Sequence, residues 1–105
     1  MKRFGRRAKK RKEAVYGVHI LFGDGFPQDI FFSGNCQQIV LPGLDGSYGV
    51  LPNHEPMVTA ITAGIVRFQD EEGRWHMAVA SDGCVEVMPE RVILLAATIE
   101  RPEDI

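Results

Sequence analysis

The sequence predicts an all-β fold, a β-sandwich of about ten short antiparallel strands. Three observations predict it. Turn clusters recur at short spacing: Gly23-Asp24-Gly25-Phe26-Pro27, Ser33-Gly34-Asn35, Pro42-Gly43-Leu44-Asp45-Gly46, Pro52-Asn53-His54-Glu55-Pro56, Asp70-Glu71-Glu72-Gly73, Ser81-Asp82-Gly83 and Met88-Pro89-Glu90. Gly relieves the cost of positive φ and Pro presets φ, so each cluster marks a chain reversal. The runs between them are rich in Val, Ile, Phe and Thr and have strand length, about 4–8 residues. Finally, outside a charged stretch entering Glu13-Ala14, no window of about 12 residues keeps a 3.6 period free of Gly or Pro.

Taken in order, the first strand-like run is Val15–Phe22, interrupted by Gly17 and His19. Ile39-Val40-Leu41 is apolar on both faces, and Met57-Val58-Thr59-Ala60-Ile61 follows a Pro-bounded loop with the same apolar excess. In Ile65–Gln69, Val66 and Phe68 share the core face while Arg67 and Gln69 face water. Asp70–Gly73 then reads as the four-residue loop of a hairpin into Arg74–Val79, with Trp75, Met77 and Val79 expected inward. In Cys84–Met88, Val85 and Val87 share one face and Glu86 the other. Val92–Ala97 is apolar throughout. A sheet with one wet face should alternate, so the outer face of these apolar strands is expected to be covered by a sheet edge, a further domain or a partner.

Composition bounds the function. The 105 residues are 45% hydrophobic and 25% charged with net charge −2, which excludes collagenous and low-complexity classes. The longest apolar run, Val92–Ala97, is far shorter than the roughly 20 residues of a membrane-spanning helix. Two cysteines, Cys36 and Cys84, make no disulfide framework and are expected as buried free thiols in a reducing compartment. The basic N-terminus leads into Val15–Phe22 without a small-residue cleavage site, so no signal peptide is expected.

The near-neutral total hides a polarised chain. Residues 1–12 hold eight basic residues and no acid, +8; the other four basic residues stand against all 14 acids, −10. The division expected is a flexible basic tail, 1–14, and a sandwich domain, 15–105. Three readings of the tail compete: a solvated appendage over its own acidic body, attraction to phosphate of nucleic acid or lipid headgroups, and docking on an acidic partner. Candidates for contact with an anionic surface are Arg6, Arg7, Lys9, Lys10, Arg11 and Lys12.

No catalytic constellation emerges. His19, His54 and His76 lack metal-ligand spacing, and there is no Cys-x-x-Cys and no Gly-x-Ser-x-Gly elbow. Gly23-Asp24-Gly25 leads into Pro27 rather than into a helix N-terminus that could hold phosphate. The neighbouring acids Glu71-Glu72 and Glu103-Asp104 read as solvated pairs. No catalytic residue, metal or cofactor is expected.

Residues 32–61 and 78–105 resemble the N-terminal domain of the epsilon subunit of F-type ATP synthase. The resemblance rests on Phe32-Ser33-Gly34, on Val40-Leu41-Pro42-Gly43-Leu44-Asp45-Gly46-Ser47-Tyr48-Gly49-Val50-Leu51-Pro52-Asn53-His54-Glu55-Pro56-Met57-Val58-Thr59-Ala60-Ile61, on Ser81–Val87 and on Val92–Thr98. It implies a non-catalytic central-stalk subunit. Such a subunit links the gamma shaft to the c-ring rotor, so that rotation driven by proton flow reaches ATP synthesis. It would sit peripherally at the cytoplasmic face of a bacterial plasma membrane, one copy per gamma.

In that role Leu44, Asp45, Gly46, Ser47 and Tyr48 would rest on the ring, and His54, Met57, Val58 and Ala60 on gamma. For His54 loop packing competes with shaft contact, and for Tyr48 strand-end packing competes with ring contact. Gly43, Gly46 and Gly49 are expected to give the protruding loop its positive φ, and Asn53 and Asp82, where the family has Gly, to tolerate the left-handed region. The sequence ends at Ile105, where the family's C-terminal helical hairpin usually begins, so the regulation and ATP binding carried by that hairpin are not transferred. The alternative reading is a small β-barrel that binds nucleic acid through the basic tail; the acidic body argues against it.

Overall fold

The computed structural model describes residues 15–26 and 28–102, and the basic tail lies outside them. Nine strands run in chain order: β1 Tyr16–Phe22, β2 Asp29–Gly43, β3 Gly46–Val50, β4 Met57–Ile61, β5 Gly64–Asp70, β6 Trp75–Ala80, β7 Gly83–Met88, β8 Arg91–Ala96 and β9 Ile99–Glu100. The described residues contain no α-helix.

The strands pair in the order β4-β7-β8-β1-β2-β5-β6-β9, with β3 on β2. The 15-residue β2 joins the two layers. Its first half pairs with β1 from Asp29 to Cys36. Its second half pairs with β5 on one side and with β3 on the other. The register shifts between Cys36 and Gln38, and a bulge of this kind bends a strand from one layer toward the next. All pairs are antiparallel except β1 with β8, which run parallel from Gly17↔Arg91 to Phe22↔Ala96. The chain reaches β8 only after building the opposite layer, so β8 enters beside β1 in the same direction.

Alternation places the core between the layers. Val18, Ile20, Ile39, Leu41, Val66, Val85, Val92 and Leu94 are fully buried. Each contributes roughly 1.5–3 kcal/mol of apolar burial. Val66 and Phe68 face inward with Arg67 outward, and Val85 and Val87 inward with Glu86 outward, as the periodicity expects.

Ser33-Gly34-Asn35, expected as a chain reversal, instead runs through β2, paired with His19, Val18 and Gly17. Two expectations of side-chain facing are also corrected. Trp75 and Met77 point outward, 51% and 49% exposed, and Val79 is half-buried, while Ala78 and Ala80 are buried. The cause is loop length. Asp70 N–H donates to the Arg74 carbonyl at 2.8 Å and Gly73 N–H to the Asp70 carbonyl at 3.0 Å, which closes a three-residue loop, not four. Gly73 takes φ +92° there. Gln69 then pairs with Trp75 and Phe68 with His76, and a one-residue change in register turns every side chain of β6 over. Cys36 is buried as expected, but Cys84 is exposed because it shares the outer face of β7 with Glu86.

Candidate docking surfaces

The β2–β3 hairpin closes with Gly43 opposite Gly46, leaving Leu44 and Asp45 as a two-residue tip. Leu44 is 89% exposed. Only one of the three tip glycines serves φ: Gly46 sits at +115°, whereas Gly43 and Gly49 do not take positive φ. Gly43 is needed for space, since a Cβ there would lie 2.9 Å from Tyr48 Cε1. The Tyr48 ring packs against the core, and burial raises its phenol above the ordinary value. Asn53 takes the left-handed region at φ +65°, as expected, and Asp82 does not.

Beside the tip runs β4, the edge strand of its layer. Thr62 N–H donates to the Pro42 carbonyl at 3.3 Å and fixes the end of β4 near the base of the hairpin. A groove of about 460 Å³ lies between them, lined by Leu44, Asp45, Ser47 and Tyr48 on one side and Met57, Thr59 and Ala60 on the other. The structure therefore brings residues expected at two separate contacts onto one groove.

Val58 stands apart, 74% exposed on the outer face. The register extends that face: Val58 opposes Glu86 and Ala60 opposes Cys84. Glu86 in turn opposes Ile93, and Cys84 opposes Leu95. Ile93 and Leu95 are only half-buried, so the apolar outer side anticipated for Val92–Ala97 lies on the same face as Val58, one strand away across Glu86 and Cys84.

His54 is half-buried, with its ring edge-on to Tyr16 at 5.4 Å. Both of its ring nitrogens are buried without a partner among the described residues. Tyr16 donates its hydroxyl proton to the Val50 carbonyl, so one aromatic side chain holds both the end of β3 and His54 within the Pro52–Pro56 turn. Burial pushes the Cys36 thiol up to about 12, with Asp70 and Glu71 adding to the rise. His76 Nε2 lies 2.9 Å from Asp70 Oδ2. This contact and the amides of Arg74 and Glu72 hold the Asp70 carboxyl below its usual range. Among the described residues no group of three His, Cys, Asp or Glu could hold a metal ion, and no helix is long and apolar enough to cross a membrane.

Residues 26–102, which include the tip, the groove and the outer face, match the family model described as the β-sandwich domain of the ATP synthase delta/epsilon chain. The chain belongs to that family. It is 38% identical over 79 residues to the ATP synthase epsilon chain of Ruminiclostridium cellulolyticum, covering 75% of this chain and 58% of the relative. It is 42% identical over 79 residues to that of Pelotomaculum thermopropionicum, at the same two coverages of 75% and 58%. The chain thus spans less than two thirds of the length of these delta/epsilon relatives.

Among solved structures of the family's fold, a chain in the Euglena gracilis mitochondrial ATP synthase complex of OSCP, F1 and c-ring aligns with TM-score 0.72 at 22% identity, over 85% of this chain and 56% of that one. A chain of the Tetrahymena thermophila mitochondrial ATP synthase central stalk and c-ring aligns with TM-score 0.63 at 9% identity, over 83% and 68%. At these identities the likeness is one of fold. Arg6, Arg7, Lys9, Lys10, Arg11 and Lys12 lie outside the described residues. The outward Trp75 and Met77 were missed by sequence reasoning; counting the turn from Asp70 paired with Arg74 would have found them.

Proposed function

We propose that the chain is a non-catalytic central-stalk subunit of F-type ATP synthase, joining the gamma shaft to the c-ring so that ion-driven rotation reaches ATP synthesis. The observation that carries the reading is the family match over 26–102, which spans both exposed surfaces. The Leu44-Asp45 tip projects from a hairpin narrowed by Gly43 and Gly46, and a short pre-ordered loop loses little freedom on docking against the ring. Val58 and Ala60, with Cys84 on β7 and Ile93 and Leu95 on β8, offer gamma a second surface that Glu86 crosses. The role is mechanical: a close-packed interior barely compresses, so force applied at the tip reaches the outer face. Assembly with gamma and ring would place the chain peripherally at the cytoplasmic face of a bacterial plasma membrane. The family match favours this role over a nucleic-acid module.

Val58→Asp tests it. Val58 is 74% exposed, so the substitution should leave stability within about 0.5 kcal/mol. In a complex it would bury an unpaired carboxylate. Co-purification with gamma should fall about tenfold or more, while Leu44→Asp should weaken ring binding and spare gamma. Unchanged gamma binding by Val58→Asp would overturn the assignment of this face.

A further inference from the structure

Register aligns the outward side chains of the layer β4-β7-β8-β1-β2 in rows. Val85, Val92, Leu94, Val18 and Ile20 are fully buried on its inner side, which turns the alternate positions out. One outward row runs Ala60, Cys84, Leu95, Leu21, Ile30. The next runs Val58, Glu86, Ile93, His19, Ser33. A third, at the end of the layer, runs Met88, Arg91, Gly17, Asn35. Across these rows Glu86 is the one carboxylate and Arg91 the one permanent cation, and His19 lies 2.8 Å from the Ser33 hydroxyl.

Glu86 stands inside this face, not at its edge. Val58 and Ile93 flank it on the neighbouring strands, and Cys84 and Met88 lie two positions away on its own strand. Val58 is exposed and Ile93 half-buried. A surface that covers Val58 and Ile93 together must also cover the carboxylate between them. Among the described residues the only ion pair joins His76 to Asp70, so Arg91, diagonal to Glu86 on β8, leaves it unpaired. A carboxylate taken out of water without a counter-charge is costly, so the occupant has to bring a cation to this point.

We propose that Glu86 sets the specificity of the gamma face by pairing with a lysine or arginine that gamma carries within an apolar surface. The inference rests on the stalk reading and adds to it the chemistry of the partner. Apolar contacts fall on Val58, Ala60 and Ile93 and continue along the row to Leu21 and Ile30, and a single cation meets Glu86. Ile30 is 67% exposed, so the apolar row is open at its far end too. A partner with apolar groups but no cation strands the carboxylate, and one with an acid there adds like charge, so Glu86 rejects both. A wholly apolar face would discriminate against neither.

The affinity of the full chain for tagged gamma is measured for the parent and for variants at Glu86. Glu86 is exposed in the free chain, so Glu86→Gln and Glu86→Leu should unfold at the parent's urea concentration. Both should weaken gamma binding about tenfold or more, since either leaves gamma's cation unpaired, and Glu86→Lys should weaken it about a hundredfold or more. Arg91→Gln should bind as the parent does. So should the chain with Lys9→Gln, Lys10→Gln, Arg11→Gln and Lys12→Gln together. Tighter binding by Glu86→Leu, the mark of a merely apolar face, would overturn the proposal, and so would binding unchanged by Glu86→Gln. A loss with Arg91→Gln or with the N-terminal variant as large as that with Glu86→Gln would also overturn it, by placing the cation on this chain. A parent chain that retains no gamma would overturn the stalk reading and the inference with it. Gamma binding weakened by Val58→Asp but not by Glu86→Gln would leave the stalk reading standing and overturn the inference alone.

Discussion

Gly83 sits where no side chain fits: a Cβ there would lie 2.1 Å from the Leu95 backbone oxygen and 2.9 Å from Ala96 Cα. Gly83→Ala must therefore part β7 from β8, at a cost of about 3 kcal/mol or more in urea denaturation. Gly25→Ala, with nothing within 4 Å, should stay within about 0.5 kcal/mol. The two cysteines separate just as sharply. Cys84 is exposed and should react within seconds with a chromogenic disulfide reagent at pH 8. Cys36 is buried, with its thiol pushed up to about 12, and should react only on unfolding. Two equivalents reacting fast in the native protein would contradict the packing of Cys36. Residue type alone could not separate the pair, since both lie in apolar runs; only the phase of β7, set by Val85 and Val87 inward, turns Cys84 to the surface.

Hairpin geometry decided the face of β6. The sequence alternates legibly through Trp75, Met77 and Val79, but Ala78 and Ala80 fit against Val66 and Gly64 on the inner side, where large side chains already fill the layer. Large-to-small complementarity across two strands is invisible to a single-strand period. Met77→Lys should accordingly cost less than about 1 kcal/mol, and Ala78→Leu about 1–3 kcal/mol from overpacking. The opposite ranking by thermal unfolding would restore the inward Trp75 face. Elsewhere the strands were readable where alternation was clean, as in β5 and β7. The single parallel pair, β1 with β8, was not, because it depends on how the chain circles both layers.

As a whole the molecule presents several surfaces on one stiff body: a hairpin tip with its groove, an outer face that carries Val58 and Ala60, and the outward Ile65–Trp75–Met77 side of the β5–β6 ribbon. The sandwich class was legible from turn spacing, and the tip from its Gly-rich run. The joining of Met57 and Ala60 to the tip's groove was not, because it depends on contacts between β4 and the hairpin across a gap in sequence, such as the Thr62–Pro42 hydrogen bond between residues twenty apart. The central claim is that the two stalk surfaces are used at once. It is tested by mixing tagged gamma, detergent-solubilised c-ring and this chain, and measuring c-ring retained on gamma. The account predicts stoichiometric retention with the chain present, one copy per gamma, and a loss of about tenfold or more with Val58→Asp. Retention of c-ring unchanged by omitting the chain, or binding of gamma and ring only in competition, would contradict it.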